Sequence, residues 1–68
     1  SGDNARWDDA AQTWLRKVIE QQPVLVQISA AKRLRDQAEQ RAREAGEEVV
    51  TEQHVKRAGL ELGFGEPA

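Results

Sequence analysis

Apolar residues recur at three and four positions along three stretches of this chain, each bounded by residues that start or stop a helix. Asp8 and Asp9 stand just ahead of Ala11, Trp14, Leu15, Val18 and Ile19. That spacing predicts a first helix over about 9–21, with the two aspartates as cap and first-turn acids. Pro23 ends it, because the ring removes an amide donor and biases Gln22 away from the α region. The same proline suits the first position of a second helix, where its missing donor would have had no partner. From there Ile28, Ala31, Leu34 or Arg35, Ala38, Ala42 and Ala45 predict a single apolar stripe on a helix over about 23–45, with charged residues opposite. Gly46 is the expected left-handed stop. Val49 and Val50 form a short bridge placed to plug the core. Thr51 then caps a third helix over about 52–62, with Val55, Ala58 and Leu62 on one face and Glu52 and Lys56 one turn apart. Gly63 ends this helix. The expected fold is therefore all-α, a small three-helix domain with a Val-Val bridge. Residues 1–6 read as a tag-cleavage scar, Ser1-Gly2, with a disordered leader; 7–62 as the helical domain; and 63–68 as a flexible tail.

Alanine dominates the inner face of the second helix, so a neighbouring helix can approach closely and large residues opposite must fill the remaining volume. Trp7, Trp14 and Leu15 are the expected fillers. Trp7 and Trp14 stand seven apart, the spacing of two anchors on one face, and packing is preferred to stacking on a planar ligand. Phe64, between two glycines, fits either packing or an exposed contact with a larger protein. The chain has 68 residues and hence one domain, whose core supplies roughly 3–5 kcal/mol of net stability. It has no cysteine, which excludes disulfides, iron–sulfur ligation, thiolate zinc sites and thiol nucleophiles, and makes the cytoplasm the simplest compartment. No apolar run approaches the roughly 18 residues of a membrane span. Ten Lys and Arg against twelve Asp and Glu give a formal charge of −2, which argues against a nucleic-acid partner.

Chemistry is sparse. Lys32, Arg33 and Arg35, with Arg41 and Arg43 beyond, form the one cluster suited to an anion. Yet Lys32 and Asp36, Arg35 and Glu39, and Glu39 and Arg43 are each four apart, the spacing of intrahelical pairs worth roughly 0.2–0.5 kcal/mol each on a solvated face. His54 is the sole histidine; without cysteine it makes a poor metal site, and as a general base it lacks a partner the sequence can place beside it. Ser29 falls mid-helix with no nucleophile elbow, and the glycines at 46, 59, 63 and 65 stand singly rather than in a phosphate loop. The residues thus assign no catalytic, cofactor-binding or metal site. The candidates for interaction are Trp7, Lys32, Arg33, Arg35 and Phe64.

The order Trp7, a short helix, Pro-Val-Leu-Val at 23–26, a basic and acidic helix with Glu39 and Ala42, then Gly46, Val49-Val50-Thr51, Glu52, Val55 and Ala58 resembles a known domain. It is the C-terminal domain of the B-type protochlorophyllide reductase subunits, a family of dark-operative, nitrogenase-like reductases of chlorophyll and bacteriochlorophyll synthesis. The resemblance spans about Trp7 to Leu62. Where the B-type subunits typically have two aromatics, a valine and an arginine after the proline, this chain has Val24, Leu25, Val26 and Gln27, and its second helix is longer by about a turn. In this it looks more like the Z-type subunit of chlorophyllide reductase. The resemblance implies a parent oxidoreductase with a [4Fe-4S] cluster, fed by an ATP-dependent iron protein and reducing a ring double bond of a magnesium tetrapyrrole. For this piece it implies no cofactor of its own and an accessory role, docking on other domains and subunits of the parent or covering the pigment. Two other readings fit three short helices: a small DNA-binding module, against which net acidity speaks, and an interaction domain unrelated to pigment synthesis.

Overall fold

A computed structural model describes residues 6–67; the expected scar and most of the leader lie outside the described residues. The elements run β1 (Arg6–Trp7), α1 (Asp9–Glu20), a 3₁₀ turn (Val24–Val26), α2 (Gln27–Glu44), β2 (Val49–Val50) and α3 (Glu52–Leu62). The three-helix architecture stands as expected. What the periodicity does not contain is the pairing of the Val-Val bridge with the segment before α1. β1 and β2 lie parallel, Arg6 opposite Val49 and Trp7 opposite Val50, and the Asp8 amide donates to the Val50 carbonyl at 3.2 Å. Two residues per strand carry no alternation to read. The pairing spares backbone groups that would otherwise be left without partners beside the core.

Each helix end follows from local chemistry. The Asp8 carboxylate accepts the Ala11 amide at 2.8 Å and caps α1. Pro23 does not open α2. Its ψ of 142° is extended, so the chain passes through the 3₁₀ turn, closed by the Val26 amide donating to the Pro23 carbonyl at 3.0 Å, before α2 starts at Gln27. The Gln27 side chain donates back to the Gln22 carbonyl at 2.9 Å and ties the turn to the end of α1. α2 and α3 stop alike. At Gly46 (φ 73°) and Gly63 (φ 84°) the chain turns left-handed. The amides of Glu47 and Phe64 then reach back to Ala42 and Gly59 at 2.9 and 2.8 Å, the Schellman closure that satisfies the last carbonyls.

The core gathers Ala11, Val18, Leu34, Ala38, Ala42, Val50, Val55 and Ala58, with Trp7, Trp14, Leu15, Ile19, Leu62 and Phe64 packed around it. Two expectations are corrected. The buried face of α2 is Ala30, Leu34, Ala38, Glu39 and Ala42, whereas Ile28 is 89% exposed. Ile28 falls in the first turn of a helix that begins later than predicted, and Ala45 lies past its end. The fully buried large side chains are Leu34, Val50 and Val55, and the tryptophans line the rim. Trp7 shares no helical face with Trp14, because it belongs to β1.

Candidate functional surface

Trp7 is half-buried, and its indole N–H donates to Glu39 Oε2 at 3.0 Å. Glu39 itself is 7% exposed. Sequence spacing puts this glutamate in ion pairs with Arg35 and Arg43 on a solvated face. Instead it sits next to Ala38 at the edge of the buried stripe and turns inward, where a charge-assisted bond from the indole offsets its loss of water. Arg43 donates to Gln40 at 2.8 Å. The Lys32 and Asp36 pair does form, at 2.9 Å, as does that of Glu52 and Lys56, at 3.4 Å. The Lys32 ammonium, hydrogen-bonded to Asp36, holds its carboxyl below the ordinary carboxylate range. A depressed folded value means that any help from this exposed pair is present at neutral pH and lost as pH falls through that value.

His54 has partners after all. The Thr51 amide donates to Nδ1 at 2.9 Å, completing a capping box in which the Thr51 side chain receives the His54 amide. With Nδ1 accepting, the network places the ring hydrogen on Nε2, which faces Glu47 Oε1 at 2.9 Å. The histidine therefore closes the helix end and clips it to the α2–β2 loop. His54→Ala should lower stability by about 1 kcal/mol, read as a fall in urea midpoint with an unchanged slope; an unmoved midpoint would show the cap to be idle.

The interaction candidates do not converge on one spot. Trp7 and Phe64 both pack against the core, and the Arg33 guanidinium lies over the Phe64 ring, 5.9 Å from its centroid. Lys32 is engaged with Asp36, and Arg35 is exposed. Arg41 bridges α2 to α3 through Glu61 at 3.4 Å. Sequence reasoning missed a different feature. Val24, Leu25, Val26 and Ile28, assigned to the second helix, are 79, 98, 43 and 89% exposed. A signal was available: from Gln21 to Ala31 no residue is charged, in a chain where 32% are.

The chain's residues do not fit the [4Fe-4S] cluster that the resemblance implies for the parent, since it has no cysteine and the described residues hold no grouping of three His, Asp or Glu placed for a metal. Among the described residues, no helix is long and apolar enough to cross a membrane. A family model described as "Proto-chlorophyllide reductase 57 kD subunit" matches residues 7–58, from the strand that carries Trp7 to the buried Ala58 of α3. No solved structure matches the chain.

Proposed function

The chain belongs to the proto-chlorophyllide reductase 57 kD subunit family, and on that premise we propose that it is a non-catalytic C-terminal domain of a nitrogenase-like (proto)chlorophyllide reductase subunit. It supports docking within the reductase or covers the pigment cavity, and it acts in the cytoplasm in chlorophyll or bacteriochlorophyll synthesis. The valine and leucine after Pro23 favour a Z-type chlorophyllide reductase parent over a B-type protochlorophyllide reductase parent. The cluster and the ATP-driven delivery of electrons by the iron protein belong to other parts of the enzyme, because this chain has no cysteine to hold a cluster.

One observation carries the non-catalytic reading: the side chains best suited to acid–base work are spent on folding. His54 is held between the Thr51 amide and Glu47, and Glu39 receives the Trp7 indole in the core. The reading is tested in the full-length subunit assembled with its partners. Removal of residues 7–62 should lower reductase turnover or the yield of assembled enzyme at least about tenfold, a change of 1.4 kcal/mol or more. Unchanged assembly and turnover would refute the accessory role.

A further inference from the structure

We infer that the apolar knuckle Val24-Leu25-Val26-x-Ile28 is the face by which this domain seats on the remainder of its own subunit; the inference rests on the accessory reading above. These four side chains lie on the 3₁₀ turn and the first turn of α2. Together they expose about three full aliphatic side chains, roughly 200–400 Å² of apolar surface by transfer bookkeeping. On a monomer, a contiguous patch of that size is often functional. The charge-free run from Gln21 to Ala31 gives it the composition of an interface centre, where charged residues are depleted.

Area selects the occupant. A stable association of separate chains buries about 800 Å² per partner, which this patch does not reach. A covalently attached partner needs less. Tethering replaces the entropy of association with an effective concentration near the millimolar range, and contacts between domains of one chain start at about 600 Å² in total. The family is named for a 57 kD subunit, against the 7.6 kDa of this chain, so the tethered partner is the larger body of that subunit. Leu25 and Ile28, the two most exposed of the set, are the side chains that contact has to cover.

The test places a photoreactive benzophenone side chain at position 25 of the full-length subunit in the assembled reductase, with the same group at position 43 as reference. Arg43 lies sixteen residues along α2 from Gln27, about 24 Å by helical rise. The expected adduct is intramolecular, its yield at least fivefold above that at position 43, and it falls at least fivefold when Ile28→Glu is added. An adduct to a second copy, to a different subunit, or to added phosphatidylglycerol vesicles would overturn the inference, as would a yield no higher than the reference. The underlying reading fails by another result: a deletion of 7–62 that leaves assembly and turnover unchanged.

Discussion

The Leu34→Ala chain should be largely unfolded at 25 °C. Leu34 has no exposed surface and sits on α2 at the centre of the cluster formed with Ala38, Val55 and Ala58. Its Cδ1 comes within 3.9 Å of where a Cβ on Gly59 would lie. Truncating a buried leucine costs about 2–5 kcal/mol, toward the upper end where neighbours cannot close the cavity. Here the neighbours are Ala38, Ala58, Gly59 and the short, β-branched Val55, which have little side-chain reach with which to fill it. The whole domain has roughly 3–5 kcal/mol to lose. Urea melts followed by far-ultraviolet dichroism should show the midpoint falling by at least about 1 M, with little or no folded baseline. A midpoint within experimental error of the parent would mean that the core does not centre on Leu34.

Trp7→Phe should cost about 1.5–3 kcal/mol, more than a half-buried aromatic usually gives up for losing one nitrogen. The reason is the acceptor left behind. Without the indole, the Glu39 carboxylate, 7% exposed, loses the donor 3.0 Å away, and an ionised group stranded at low exposure carries its desolvation uncompensated. The prediction includes its own control. When both partners are made apolar, as in Trp7→Phe with Glu39→Met, most of the loss should return, since replacing a buried polar pair together is often close to neutral. A double-mutant cycle in which the two changes simply add would contradict the pairing.

Much of the architecture was legible because its signals are local. The Asp8 cap, the Gly46 and Gly63 stops and the bounds of α3 each depend on residues within a few positions of one another, where capping chemistry acts. The parallel pairing of Trp7 with Val50 joins positions far apart in sequence through two-residue strands, and no periodicity announces it. Glu39 shows a subtler limit. Its spacing from Arg35 and Arg43 satisfied the rule for surface pairs, but helical phase also put it beside buried Ala38, and only the arrival of Trp7 from β1 decides between them. The surface was missed for a further reason. Three successive apolar residues after Pro23 exceed what one stripe can bury, yet they looked like a hydrophobic start to a helix. The extended proline and the 3₁₀ turn convert them into exposed surface.

The non-catalytic reading meets its sharpest test in a single-turnover experiment. Reductase assembled from full-length subunits and reduced beforehand, so that the iron protein is bypassed, is mixed with pigment. The rate of ring reduction is compared between the parent enzyme and one carrying Glu39→Gln and His54→Gln in this domain. Because both side chains serve the fold, the rate constant should stay within about twofold, under 0.5 kcal/mol of barrier. A fall of about a hundredfold or more in a fully assembled enzyme, some 2.7 kcal/mol, would place these residues in the chemistry and contradict the account.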